Sequence, residues 1–244
     1  MHRYAIGDIH GHRDLLWQAH DRIARDQASH GAAPIVHIGD LVDRGPDARG
    51  VIEYLRQGVG AGEDWVVLKG NHDRMFAGFL EDMNWHDQGL RPDMSYLHFR
   101  IGGAETLASY GVPNAADRPK PGVHHDAVAA VPPEHLRFLR ELPTSLTRGK
   151  AHFVHAGIRP GVPLPEQTET DLLWIRKEFL DDPRDHGPLI VHGHTAIDWP
   201  THYGNRLNLD SGAAYGGALS AVVIEGHDAF LLTDQGRVAL RPAE

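Results

Sequence analysis

The sequence predicts an α/β fold (α+β by some schemes) that begins with a parallel sheet, and three observations carry this expectation. Short apolar runs at Tyr4–Ile6, Ile35–Ile38 and Trp65–Leu68 alternate with helical patterns, so the first third reads β-α three times over. That rhythm implies parallel strands joined by helical crossovers. Each run also ends at a glycine followed by Asp or Asn: Gly7-Asp8, Gly39-Asp40 and Gly70-Asn71. Polar residues there lie beyond the carboxyl ends of the strands, where ligands gather in such sheets. Finally, the tail segments Arg206–Leu209, Leu219–Glu225 and Ala229–Thr233 read as antiparallel strands.

Between the strands, Asp14–Ser29 is expected as an amphipathic helix through Leu15, Leu16, Ala19 and Ile23. The next helix is placed from about Pro46 to Gln57, with Pro46 suited to the first helical position. A third runs from about Asp73 to Glu81. Residues 84–131 break the rhythm with Gly102-Gly103, Pro113, Pro119 and Pro121. They read as an insertion or cap over the site, with one helix near Ala104–Tyr110. Beyond it come a helix at Pro133–Leu142, a strand at His152–Val154, a helix at Glu169–Leu180 carrying Trp174 and Arg176, and a strand at Leu189–Val191. No repeat, linker or low-complexity segment divides the chain, so one domain over 1–244 is expected.

Composition narrows the function. A net charge of −9 with no basic stripe argues against nucleic acid as a partner. The absence of cysteine excludes disulfides, zinc ribbons and thiol nucleophiles, and suits a cytoplasmic chain. MHRYAIGDIHG enters a strand directly, without the charged and apolar regions of a signal peptide. No stretch approaches the ~18 apolar residues of a membrane span. Of the 19 histidines, only about four can serve one site; His30, His86, His124 and His125 are read as surface or loop residues.

The chemistry is concentrated in GDIHG (Gly7–Gly11), GDLVDRG (Gly39–Gly45), GNHD (Gly70–Asp73), HAG (His155–Gly157) and Gly193-His194. Asp, His and Asn are hard-to-borderline metal ligands, and their placement at strand ends suits an open two-metal site. Asp8 and His10 are alternate residues leaving a strand, so both can face one ion. Asp40 has two oxygens and can bridge two cations. Asn71 offers a neutral carbonyl oxygen, which leaves the adjacent His72 free for proton transfer near neutrality. Asp43 is the candidate to fix its tautomer from the far nitrogen, the alternative being a surface pair between Asp43 and Arg44. Arg44 could fork two phosphate oxygens. His155 and His194 each end an apolar strand and fit a second metal. His192 is read as a core histidine or a support to a ligand, and Arg176 as a phosphate contact rather than a solvated helix charge.

Assembled, these motifs resemble a calcineurin-like metallophosphoesterase, and more closely the bacterial and phage-type branch of phosphoprotein (Ser/Thr) phosphatases. GDIHG, GDLVDRG, GNHD, HAG, LLWIR, HGHT and LDSGAAYGG follow in family order from Gly7 to at least Gly212, and GGAETLASYG at Gly102–Gly111 is similar to the prokaryotic subgroup. The resemblance implies a four-layer β-sandwich flanked by helices and two divalent metal ions, Mn foremost, with Fe, Zn or Co as alternatives. It implies that Asp8, His10 and Asp40 hold the first ion and that Asp40, Asn71, His155 and His194 hold the second. It makes His72 the general acid paired with Asp43, and Arg44 and Arg176, beside Asn71, the groups that bind the phosphoryl.

Two letters depart from the wider pattern. Ala196 stands where nucleases and cyclic-nucleotide diesterases carry the second His of G-H-x-H, and Asp73 stands where eukaryotic members carry Glu. The expected function is therefore hydrolysis of a phosphomonoester, from a phosphorylated protein or a small phosphoester, by a metal-bridging hydroxide. The first rival is a symmetrical bis(5'-nucleosyl)-tetraphosphatase, in which DRG would typically read ARG, so Asp43 favours the protein phosphatase. The second rival is an inactive metal-bound binding module.

Overall fold

In the computed structural model, which describes residues 2–242, two β-sheets face one another and helices cover both outer faces. The strands and helices of the first third are β1 (Arg3–Ile6), α1 (Arg13–His30), β2 (Ile35–His37), α2 (Ala48–Ala61), β3 (Trp65–Val67) and α3 (Asn71–Glu81). β1 pairs in parallel with β2, and β2 with β3, as the β-α rhythm predicts. The chain continues through α4 (Gly103–Ser109), α5 (Lys120–Ala130) and α6 (Pro133–Glu141) to β4 (Ser145–Arg148) and β5 (Ala151–Val154). There follow α7 (Glu169–Trp174), α8 (Lys177–Leu180), β6 (Leu189–His192), β7 (Thr201–His202), β8 (Arg206–Asn208), β9 (Ala221–Glu225), β10 (Asp228–Thr233) and β11 (Gly236–Leu240). One sheet has the order β11-β10-β9-β1-β2-β3 and the other β4-β5-β6-β8-β7. The outermost residues of the expected 1–244 domain, Met1, Ala243 and Glu244, lie outside the described residues.

The four layers follow from side-chain alternation along strands that are apolar on both faces. In β1, Tyr4 and Ile6 join the core under α1 to α3, whereas Ala5 joins the core between the sheets. Val222 and Ile224 of β9 face inward with Ala5, while Ala221 and Val223 face the helices. On the other side, Phe153, Leu189, Val191 and Leu207 fill the inter-sheet core. Ile190 and Val154 turn outward to pack with Leu172, Ile175 and Phe179 of the α7–α8 region.

Several sequence expectations need correction. Pro46 is not in a helix: α2 starts two residues later, after Asp47, whose side chain caps it by accepting from Gly50 N at 2.8 Å. The 84–131 segment holds a second helix, α5, because Pro119 and Pro121 open it rather than break it; proline needs no amide donor in a first turn. His124 and His125, read as surface or loop residues, lie on that helix, with His125 exposed at the surface. Glu169–Leu180 is two short helices, broken at Ile175 and at Arg176, whose φ of −132° and ψ of −95° are not helical. Arg206–Asn208 is not part of an antiparallel tail: it pairs in parallel with β6, in the opposite sheet from β9 and β10.

Candidate active site

The loops after β1, β2, β3, β5 and β6 converge at one edge of the sandwich, and the side chains singled out from the motifs meet there. The backbone is tightly wound. Among the described residues, six non-glycine residues have positive φ, and five are His10, Asp40, Asp43, Arg44 and His194. Such strain costs on the order of 1–3 kcal/mol per residue and persists where surrounding structure fixes it, typically at functional sites. Here the fixing contacts are visible. Ile9 N and His10 N both donate to Asp40 O, and Gly11 N donates to Leu41 O. Asp73 ties two loops together by accepting from Leu41 N at 2.9 Å and Gly70 N at 2.8 Å.

Asp40 lies at the centre. Its Oδ2 is 3.4 Å from His10 Nε2 and its Oδ1 is 3.3 Å from His155 Nε2. Asn71, the first residue of α3, places Oδ1 2.9 Å from both His155 Nε2 and His194 Nδ1. Donor atoms of Asp40, His155 and His194 thus form one compact group, and those of His10, Asp40 and His72 form another that shares Asp40. Asp8 joins through its Oδ2, which accepts from His194 N at 2.9 Å, while its Oδ1 is buried without a hydrogen-bond partner. A Cβ on Gly193 would overlap that carboxylate, so only glycine fits before His194.

The donor chemistry fits two divalent cations. Backbone carbonyls only accept, so His10 Nδ1 must donate to Val42 O and His155 Nδ1 to Ile38 O. The Nε2 lone pair of each ring then points at the cluster. Burial pushes His10, His155 and His194 below the ordinary imidazole range, which keeps them neutral. Neutral His155 Nε2, Asn71 Oδ1 and Asp40 Oδ1 are all acceptors facing one another, an arrangement that a cation relieves. Burial, then Asp210 and Asp40, raise the Asp8 carboxyl well above its usual range, as expected of crowded carboxylates.

Beside this cluster, His72 Nδ1 donates to Asp43 Oδ2 at 2.7 Å. Asp43 is fully buried, not half of a surface pair with Arg44. Its Oδ1 accepts from Tyr96 OH and Thr106 Oγ1, each at 2.8 Å. Arg44 spans the two imidazoles, with Nη1 2.8 Å from His10 Nε2 and Nη2 3.0 Å from His72 Nε2. Arg176 reaches in from the break between α7 and α8 and donates to His194 O at 3.3 Å and Thr195 Oγ1 at 3.0 Å. Arg44, Asn71, His72 and Arg176 line a cleft of about 620 Å³. His192 is buried away from it, donating from Nδ1 to Gly193 O.

Three contributors escape motif reading. Tyr96 and Thr106 come from the 84–131 segment and saturate Asp43; the only signal was Thr106 within GGAETLASYG. Asp210 is buried close enough to raise the Asp8 carboxyl, and burial, with the charge of Asp40 behind it, pushes its own carboxyl up to about 6. It lies inside the LDSGAAYGG string without being singled out there; its signal was the segment Leu207–Leu209 running into Asp210, the same strand-then-Asp pattern that marks Asp8 and Asp40.

The profile of the calcineurin-like phosphoesterase family matches residues 1–229. Serine/threonine-protein phosphatase 1 of Salmonella typhimurium is 24% identical over 237 residues, covering 92% of each chain. An asymmetrical bis(5'-nucleosyl)-tetraphosphatase, PrpE of Geobacillus thermodenitrificans, is 25% identical over 257 residues, covering 91% of this chain and 90% of its own. The solved structure of a provisionally assigned diadenosine tetraphosphatase superposes with a TM-score of 0.64 at 21% identity, covering 99% of this chain and 95% of that one. Sandwich, site and comparisons agree that the chain belongs to the calcineurin-like phosphoesterase family and is a hydrolase of phosphoric esters.

Proposed function

We propose that the protein is a metal-dependent phosphomonoesterase of the serine/threonine protein phosphatase type, with Mn as its foremost metal. The carrying observation is the buried Asp43–His72 pair, whose second imidazole nitrogen, 3.0 Å from Arg44 Nη2, faces the cleft beside the carboxylate–imidazole cluster. Asp8, His10 and Asp40 would hold one ion and Asp40, Asn71, His155 and His194 the other. When bound, two such ions supply Lewis acidity and a hydroxide nucleophile at neutral pH.

The chain's own residues do the rest. Arg44 and Arg176 both line the cleft and bind the equatorial phosphoryl oxygens, where negative charge concentrates as the bond to the leaving group breaks. Asp43 accepts from His72 Nδ1, so Nε2 is the nitrogen left to face the leaving oxygen. Protonated there, His72 gives its proton to the departing alkoxide, and Asp43 stabilises the imidazolium before transfer. Tyr96 and Thr106 keep the Asp43 carboxylate saturated and therefore oriented. The sequence has no cysteine, and among the described residues no serine lines the cleft, so direct hydrolysis is the reaction these groups suit.

The relatives support a second reading, dinucleoside tetraphosphate hydrolysis. Side-by-side kinetics on phosphoserine/phosphothreonine peptides and diadenosine tetraphosphate, with Mn supplied, decide between them. Faster turnover of the peptides is expected; a higher kcat/KM for the dinucleotide would replace the first reading by the second.

A further inference from the structure

The cleft collects positive charge out of proportion to the chain. The protein carries 24 Lys and Arg against 33 Asp and Glu. Yet six of those bases line this one cleft (Arg44, Arg91, Arg100, Arg159, Arg176 and Lys177), against only Asp171 and Glu178 among the acids. Two of the six are already neutralised. Arg91 Nη2 lies 2.7 Å from Asp93 Oδ2, and Arg159 Nε donates to Asp171 at 2.9 Å. Arg44 and Arg176 are engaged at the phosphoryl site. Among the described residues, Arg100 and Lys177 pair with no carboxylate; Arg100 lies 5.7 Å from the Phe99 ring and both side chains are exposed.

Their positions are informative. Lys177 directly follows Arg176 at the break between α7 and α8. Arg100 is two residues from Gly102, whose carbonyl accepts from Arg44 N at 3.2 Å. Each unpaired cation is therefore linked through short backbone to one of the two cleft arginines, Lys177 to Arg176 by direct succession and Arg100 to Arg44 through the Gly102 carbonyl, and all four line the same cleft.

We infer that the substrate carries a second anionic group, a carboxylate or a further phosphate, next to its phosphoserine or phosphothreonine, and that Arg100 and Lys177 bind it. This rests on the phosphomonoesterase reading above and names its substrate class: acidic phosphopeptides. Concentrating positive potential in a cleft of an otherwise negative protein also steers such substrates, an effect that can reach about 10–10³-fold in association rate and falls with salt.

The test compares three matched phosphoserine peptides, flanked by Gln, by Glu or by a second phosphoserine, with p-nitrophenyl phosphate as a small control. The wild-type enzyme, Arg100→Gln, Lys177→Gln and the double variant are all assayed with Mn. Wild type should favour both anionic peptides by about tenfold in kcat/KM, through KM, with the preference shrinking in salt. The double variant should bring all three peptides within twofold while leaving turnover of p-nitrophenyl phosphate unchanged. Hydrolysis of the control with no anionic preference, or a preference that survives the double substitution, overturns the inference. No hydrolysis of control or peptides overturns the phosphomonoesterase reading itself.

Discussion

At the scale of single residues, His72 borders two environments, the carboxylate–imidazole cluster on one side and the cleft on the other. A ring nitrogen of His72 lies close enough to His10 and Asp40 to form a third ligand, and its Nε2 meets Arg44 at the cleft. The Asp43 contact at 2.7 Å favours proton transfer, since it orients the ring and fixes which nitrogen faces the cleft. Substituting His72→Asn should lower kcat by ~10²–10⁴ while Mn stoichiometry, measured by elemental analysis of the purified protein, stays at two per chain. Loss of one Mn would make His72 a ligand instead. The motif residues were legible because each lies at a strand end, where an apolar run meets glycine and then a ligand-type side chain. Tyr96 and Thr106 were not, since a hydroxyl aimed at Asp43 from more than fifty positions away leaves no local pattern. Asp210 did leave one, but without the compact Gly-Asp spelling of the earlier motifs.

At the scale of elements, apolar periodicity found the helices and strands but not where they stop. Leu172, Ile175 and Phe179 keep helical spacing across Glu169–Leu180, so nothing in the pattern marks the break that points Arg176 toward His194. Proline misled in both directions, absent from the helix it was expected to start at Pro46 and present at the start of α5. The approach to α4 shows how such local geometry serves the site. Gly102 precedes the helix with φ of +86°, and a Cβ there would collide with the backbone and side chain of Arg44. Gly102→Ala should therefore displace the loop carrying Asp43 and Arg44. The expected result is a rise in KM for phosphomonoesters and in the Ki of inorganic phosphate, each by about tenfold, with a strain cost of about 1–3 kcal/mol in chemical denaturation. Unchanged phosphate affinity would show that the α4 approach does not set the position of Arg44.

At the scale of the whole molecule, the site joins the two sheets. Asp8, His10, Asp40 and Asn71 lie on loops leaving β1, β2 and β3 in one sheet, while His155 and His194 leave β5 and β6 in the other. At the site, the protein contacts across this seam are polar: His194 N to Asp8, His155 to the Ile38 carbonyl and to Asp40, and the imidazoles against Asn71. Cations bound at Asp40 would pull both halves to a common point and cancel the repulsion among Asp8, Asp40 and Asp210, so they should act as a clamp on the sandwich as well as a chemical group. Ligands that bind only the folded state stabilise it by mass action, about 2.7 kcal/mol at a hundredfold excess over Kd. Thermal unfolding of chelator-treated protein should then begin several degrees lower than with Mn, and added Mn should restore the difference. His155→Ala removes a ligand from the second sheet, so its Tm should respond much less to Mn. Surface charge variants such as Arg100→Gln should keep the full response. Equal Tm values with and without Mn in the wild type, or an undiminished response in His155→Ala, would mean that the sheets are held by the inter-sheet apolar core alone and that the ions serve only the chemistry.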